Sequence, residues 1–332
     1  MPEPFVSIVI VAWNSGAHLS RCLSLLLEQT YQDFEIVLVD NGSTDGSVKD
    51  VRGQFPSLAI TVKQLETNLG FAVANNIGVQ LAKGKWIALL NADAYPEPDW
   101  LNHLLLAVEN NPGFMAFSSR QLQYSAPFLL DGAGDAYHIS GLAWRNSYNL
   151  TAEKNGLEER EIFSPCAAAA LYSREVFLKV DGFDEDYFSY FEDVDLGFRF
   201  RIHGKKCLYV PNAIVHHVGS ASTGKRGDFS VYYGYRNMIW TFVKDMPSPY
   251  FGLFLPLHLF TLSFFIAYLT MRGQGGVIVR AIRDALRGLP MILKKRREIQ
   301  SNIQVKPGEI LQFMSRGLLE PYQEFVKRNR RG

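Results

Sequence analysis

Four short apolar runs spaced through the first 90 residues set the architecture. Residues 6–12 (VSIVIVA), 34–39 (FEIVLV), 60–62 (ITV) and 86–90 (WIALL) are dominated by β-branched and aliphatic side chains. That is the pattern of strands buried on both faces. Helical spacing fills the gaps. Leu19, Leu23, Leu26 and Leu27 share one face of a segment ending near Gln29, a second helix leads into Arg52, and small residues fill 72–82. Strand and helix alternating at this spacing predict an α/β fold, with a mainly parallel sheet covered by helices on both faces. Such sheets bind ligands beyond the carboxyl ends of their strands. Three of the runs end in polar clusters: Trp13-Asn14, residues 40–45 (DNGSTD) and residues 91–93 (NAD). Those clusters should converge on one crevice.

There is no GxGxxG and no Walker A motif, which disfavours a dinucleotide fold and a P-loop NTPase. Asp40 at a strand end suits a ribose or base N–H; it equally suits an Asx-turn over Asp40-Asn41-Gly42. Asn91 and Asp93, two apart, face the same way. An oxygen pair of this kind suits Mg²⁺ or Mn²⁺ carrying a diphosphate, and its alternative is an ordinary turn before Pro96 and Pro98. The densest acidic stretch is residues 181–201, DGFDEDYFSYFEDVDLGFRFR, with seven carboxylates among aromatics. Glu192-Asp193 falls where a helix should begin, with Val194, Phe198 and Ile202 recurring behind it. A helix start stabilises carboxylates through its dipole. A carboxylate held between aromatics at such a boundary also makes a general base.

With 332 residues, 47% of them hydrophobic, the chain has room for one large domain and an appendage, or for two domains. Cys22, Cys166 and Cys207 are scattered without a CxxC, which fits a reducing compartment and argues against a disulfide framework or a zinc site. The first residues lack the basic region of a cleavable signal peptide.

The ordered set SIVIVAWN, VDNGSTDGS, NLGFAVANNIG, LLNADA, GFDEDYFSYFEDVDLGFRFRIHG and PNAIVHHVGSAS resembles the inverting nucleotide-sugar glycosyltransferases of family 2. Within these it is similar to the rhamnosyltransferase-like branch of bacterial surface-polysaccharide synthesis. The match covers roughly residues 5–245. The resemblance implies a GT-A fold, a Rossmann-like mixed sheet. Ala12 and Trp13 would line the base pocket beside Asn14, Asp40 would contact base or ribose, and Asp45 would hold that loop, with Asn68 on the facing loop. Asp93 would be the metal-binding Asp of a DxD-like motif whose first Asp is replaced here by Asn91, with Ala92 between. Asp193, with Glu192 beside it, matches the presumed catalytic base. His217 matches a histidine completing the metal or diphosphate site; His216, its neighbour on an extended segment, would face the other way. Arg226, in the basic loop 223–227, and Arg236 are candidates for diphosphate charge, or else solvated surface. The implied donor is a nucleoside-diphosphate sugar, dTDP-L-rhamnose first and a UDP-hexose second, with Mg²⁺ or Mn²⁺ as cofactor. A nucleotide-sugar-binding scaffold without catalysis is the alternative that Asn91 leaves open.

From residue 246 the character changes. Residues 250–271 are almost wholly apolar, interrupted by Pro256 and His258, and residues 272–297 carry eight Lys/Arg against Asp284 alone. The length would span a bilayer. Basic flanks stay cytoplasmic, however, and so do nucleotide sugars. The expectation is therefore an in-plane or re-entrant segment followed by basic amphipathic helices on anionic lipid, at the cytoplasmic face of a bacterial inner membrane. In residues 277–294, Ile278, Ile282, Ala285, Leu286 and Leu289 should share a face. The rivals are a true span and a buried helix in a homodimer. The acceptor would be a polyprenyl-diphosphate-linked saccharide; nucleic acid is not expected, because the basic residues do not interleave with an exposed aromatic platform. The domains expected are 1–245, halved at 117/118 into nucleotide-binding and acceptor parts, and 246–332.

Overall fold

The computed structural model describes residues 4–219, 227–317, 319–321 and 323. The first half runs β1 (Val6–Ala12), α1 (Ala17–Leu27), β2 (Phe34–Asp40), α2 (Val51–Gln54), β3 (Ile60–Gln64), α3 (Phe71–Leu81), β4 (Trp86–Leu90), β5 (Ala94–Pro96) and α4 (Trp100–Asn110). The chain continues through β6 (Phe114–Gln123), β7 (Ala126–Gly132), β8 (Asp135–Tyr137), β9 (Ala143–Arg145), β10 (Arg160–Ile162), β11 (Ala169–Ser173), α5 (Arg174–Lys179), α6 (Glu192–Ile202) and β12 (Lys206–His217). Helices follow: α7 (Asp228–Asp245), α8 (Ser248–Met271), α9 (Gly275–Arg287), α10 (Leu289–Ser301) and α11 (Pro307–Leu311).

Ten strands form one sheet, with the path β10-β12-β6-β11-β4-β1-β2-β3 and with β5 and β7 attached to β12 and β6. β1 pairs in parallel with β2 and β4, β2 with β3, and β6 with β12, while β11 runs antiparallel between β4 and β6. All four sequence-expected strands are present, and one sheet passes through both expected halves. The expected second helix is only the four-residue α2.

Alternate residues of the central strands face two separate cores. Ile8, Ile10, Ile36 and Leu38 pack with α1 and α4; Val9, Val37 and Val39 pack with α3, α5 and the Leu196–Phe200 side of α6. The opposite side of α6, Val194, Phe198 and Ile202, packs against Phe242, Met246 and α11. A helix buried on both sides has no solvent face for charge, so its ions are paired. Arg199 Nη2 meets Asp195 Oδ2 at 2.6 Å and Arg201 meets Glu161.

The residue 250–271 stretch departs from expectation in one respect: α8 runs unbroken through Pro256. His258 is no interruption either. It is buried, stacks on Phe242 with ring centroids 4.1 Å apart, and its Nδ1 lies 2.8 Å from the Ser140 carbonyl. The basic stretch is likewise two helices, broken at Gly288, and Leu286 lies 56% exposed, off the buried face formed by Ile278, Ala281 and Ala285.

Candidate active site

The carboxyl end of β1 and the loop after β2 are knitted together. Asn41 N–H donates to the Ala12 carbonyl at 2.8 Å, Thr44 N–H to Asn14 Oδ1 at 2.8 Å, and Gly16 N–H to Asp45 Oδ2 at 2.9 Å. Asp40 Oδ1 accepts the Ser43 N–H at 2.9 Å, so Asp40 closes a turn while remaining at the strand end. Asn41, which the sequence reading did not single out, spans to the next loop: its Nδ2 donates to Asn68 Oδ1 at 2.9 Å and its Oδ1 accepts Leu69 N–H at 2.9 Å. The amide oxygen of Asn68 is thereby used within the loop. Trp13 stands half-buried beside this frame.

At the end of β4, Asn91 N–H donates to the Ala168 carbonyl at 2.9 Å, and Ala92 is buried in the sheet core. Asp93 Oδ1 lies 3.5 Å from His217 Nε2, and His217 Nδ1 lies 2.8 Å from Asp131 Oδ2. Asp131 also pairs with Arg145. Burial opposes charge on His217, but the hydrogen bonds and charges of Asp131 and Asp93 prevail and raise it to about 9. Burial likewise opposes charge on Asp93, yet His217 holds that carboxyl below its usual range. His216 points to the opposite side, with its Nε2 3.0 Å from Glu97, as strand alternation requires.

Glu192 and Asp193 open α6, as expected. Asp193 is half-buried; its Oδ2 accepts Ala167 N–H at 3.2 Å and its Oδ1 accepts Val194 N–H at 2.9 Å. Burial raises its pKa, and the Ala167 N–H and the Arg145 guanidinium restrain the rise. Glu192 is buried, and its Oε2 has no hydrogen-bond partner among the described residues. Burial, and then the adjacent Asp193, push its pKa up.

The sequence reading did not single out Arg145, Asp131 or Asp135. The β8–β9 hairpin sets Asp135 opposite Arg145, and Arg145 reaches Asp131 on β7; Asp135, Cys166 and Asp193 each offer one atom within 4.8 Å of the others. A glycine-rich stretch containing two Asp residues, followed by an Arg, was the available signal.

The loop before Asp193 is left-handed at Phe188, Tyr190 and Phe191 (φ 64°, 68° and 70°). Such residues cost on the order of 1–3 kcal/mol each unless their surroundings impose the conformation. Here α7 imposes it. Asn237 Nδ2 reaches the carbonyls of Tyr187, Ser189 and Tyr190 at 2.7–3.0 Å, and Arg236 Nη2 those of Asp186 and Tyr187 at 2.8 and 2.9 Å. Arg236 therefore braces the acidic loop through Nη2. Arg226 and the rest of the expected basic loop up to residue 226 lie outside the described residues.

A family model, "Glycosyl transferase family 2", matches residues 7–181. The chain belongs to that family. This glycosyltransferase is 32% identical, over 66% of its own length and 77% of the relative's, to an N-acetylglucosaminyl-diphospho-decaprenol L-rhamnosyltransferase of Mycobacterium tuberculosis. It superposes on GalNAc-T7 solved with UDP, GalNAc and Mn²⁺ with a TM-score of 0.61, at 21% identity, covering 76% of this chain and 50% of that one. A mannosyltransferase from Pyrobaculum calidifontis in complex with GDP-Man and Mn²⁺ gives 0.54 at 18% identity, covering 93% and 85%. These likenesses establish the GT-A fold of this glycosyltransferase.

The residues fit a hard divalent cation at Asp93 and His217. Asp131 occupies Nδ1 of the imidazole and leaves Nε2 facing the Asp93 carboxylate; a bound cation would displace the proton that the two carboxylates hold on Nε2, giving the carboxylate–histidine arrangement of metal ligands. The Asp135–Cys166–Asp193 group fits poorly: burial pushes the Cys166 thiol up to about 12, and a protonated sulfur is no ligand for Mg²⁺ or Mn²⁺.

Proposed function

We propose that this chain is an inverting transferase moving L-rhamnose from dTDP-L-rhamnose to a hydroxyl of a polyprenyl-diphosphate-linked saccharide. The observation that carries the reading is the contrast within the 192–193 pair: Glu192 is buried, while Asp193 is half-buried and anchored by two backbone N–H groups. A carboxylate with a raised pKa, accessible at a helix start, is a matched general base. Asp193 takes the proton of the acceptor hydroxyl while that oxygen attacks the anomeric carbon. The bond from that carbon to the diphosphate oxygen breaks on the opposite face, and the nucleoside diphosphate leaves. Asp93 and His217 would hold a divalent cation, which would supply charge stabilisation for the leaving diphosphate. The knitted loops around Ala12, Trp13, Asn14, Asp40 and Asn68 are the binding frame for the nucleoside.

The rhamnosyl donor and lipid-linked acceptor rest on the name of the mycobacterial relative. A UDP-hexose donor is the second reading, favoured by the UDP-bound neighbour of similar fold.

The appendage supports attachment to a membrane surface rather than a span. α8 buries His258, Thr261, Leu262 and Leu269 against the protein and exposes Leu253, Leu259, Phe260, Phe264 and Met271 along the other side. Arg283 and Arg287 stand exposed beside it. A helix with one face committed to its own catalytic domain lies in the interface plane.

Donor hydrolysis and thermal shift across dTDP-rhamnose, UDP-glucose, UDP-galactose and UDP-GlcNAc, with and without Mn²⁺, test the reading. A metal-dependent response to dTDP-rhamnose is expected. A response to a UDP-sugar alone replaces the donor, a thermal shift without hydrolysis leaves the scaffold alternative, and no response to any means a donor outside the panel or a crevice that does not bind nucleotide sugars.

A further inference from the structure

A cleft of about 250 Å³ opens between the start of α7 and α9, lined by Asp228, Phe229, Tyr232, Tyr233 and Arg280. It falls just below the roughly 300–1,000 Å³ of sites that enclose a whole small ligand. We propose that it holds the headgroup of the lipid-linked acceptor, with the saccharide against the aromatic wall and the diphosphate on Arg280. This deepens the transferase reading above and rests on it.

Three observations carry the assignment. The cation is available. Arg283 and Arg287 pair with Asp284, Lys295 pairs with Asp184 and Asp186, and Arg296 Nη1 donates to the Val243 and Met246 carbonyls, whereas Arg280 makes no ion pair among the described residues. Its guanidinium lies 5.4 Å from the ring centre of Tyr232, whose hydroxyl is fixed on Asp284 at 3.0 Å.

The wall leads to the base. Tyr233 stacks on Phe188 at 5.0 Å, and Phe229 meets Phe188 and Tyr190 at 6.1 Å each. Tyr190 is three residues before Asp193, and three residues of chain span at most about 11 Å. Aromatic faces beside polar rims suit sugar rings, and Asp228 at the rim accepts hydroxyl hydrogens while repelling phosphate toward Arg280.

The far side is apolar. Val279, next to Arg280, is 57% exposed and Met271 80% exposed, continuing the α8 stripe. Base, aromatic wall, the cleft's cation Arg280 and apolar surface thus follow one another in the order of hydroxyl, sugar, diphosphate and prenyl chain.

Titration of the full chain with farnesyl diphosphate, monitored by calorimetry, tests the site. Arg280→Gln should weaken binding roughly ten- to hundred-fold, the scale of a lost charge-assisted contact. Arg283→Gln, already paired outside the cleft, should change it less than threefold. Equal affinity in wild type and Arg280→Gln overturns the site, as does equal loss in both variants. So does loss of farnesyl diphosphate binding in Asp93→Ala, which would place the diphosphate in the donor site. Phosphatidylglycerol vesicles separate the other source of phosphate: weaker vesicle binding by Arg280→Gln with unchanged farnesyl diphosphate affinity makes Arg280 a lipid-surface cation and ends the proposal. The donor panel is independent. A metal-dependent donor response in wild type alongside no Arg280 effect removes the subsite and leaves the transferase reading intact.

Discussion

The backbone N–H of Ala167 donates to Oδ2 of Asp193 at 3.2 Å. It ties the start of α6 to the entrance of β11, and it stabilises the charged form of Asp193 where Glu192 has no equivalent on Oε2. The two adjacent carboxyls should therefore respond differently. Asp193→Asn should lower turnover about 10²–10⁴-fold, the usual worth of a general base, with donor affinity kept. Glu192→Gln keeps the shape of a buried side chain whose raised pKa disfavours charge, and should stay within about tenfold of wild type. Steady-state kinetics of both variants decides; a severe Glu192→Gln with a mild Asp193→Asn would reverse the roles.

Asp131 fixes the imidazole of His217. Asp131→Asn removes the charge that orients Nδ1 and should weaken Mn²⁺-dependent nucleotide binding about 10–100-fold, the range for such outer contacts. Metal-free nucleotide binding should not move. Calorimetry with and without Mn²⁺ reads both quantities.

Lys244 is buried and pairs with Asp184 and Asp195. Removing one partner of a buried pair leaves uncompensated charge, typically costing about 3–5 kcal/mol. Lys244→Met should lower stability by that amount in urea unfolding. A loss below about 1 kcal/mol would show that water or rearrangement compensates.

Burial lowers His138 and His258 to about 4. Unfolded, each titrates near 6.5. As pH falls through 6.5 toward 4, the unfolded chain takes up protons that the native state refuses, so stability is full above this window and declines within it. The melting temperature should fall between pH 6.5 and 4. His258→Asn, which keeps a donor for the Ser140 carbonyl, should flatten that slope while costing some stability at neutral pH.

Leu253 and Phe260 project from α8 with 66% and 71% exposure. Replacing both with Glu should abolish co-sedimentation with anionic vesicles. Because neither is packed in the core, unfolding should shift by less than about 1 kcal/mol. Unchanged vesicle binding would favour a copy of the chain as occupant, which sedimentation would then show.

The strands that position the donor end were legible in sequence because burial on both faces demands uninterrupted apolar runs, and β1, β2 and β4 have them. The split between His216 and His217 followed from strand alternation alone, and Glu192-Asp193 stood at a helix start because the Val194, Phe198, Ile202 spacing begins there. Nothing local marked Arg145. Its partners Asp131 and Asp135 lie 14 and 10 residues away, and Asp193 comes from another element, so its role exists only once β8 and β9 pair. The sequence shows the charge of Arg236 and not the carbonyls of Asp186 and Tyr187 that its Nη2 reaches. His258 read as a break in an apolar helix, although helical periodicity turns it toward Phe242. Periodic burial is written along the chain and can be read there. Which charged group meets which partner depends on long-range closure of the fold, and only the tertiary structure decides it.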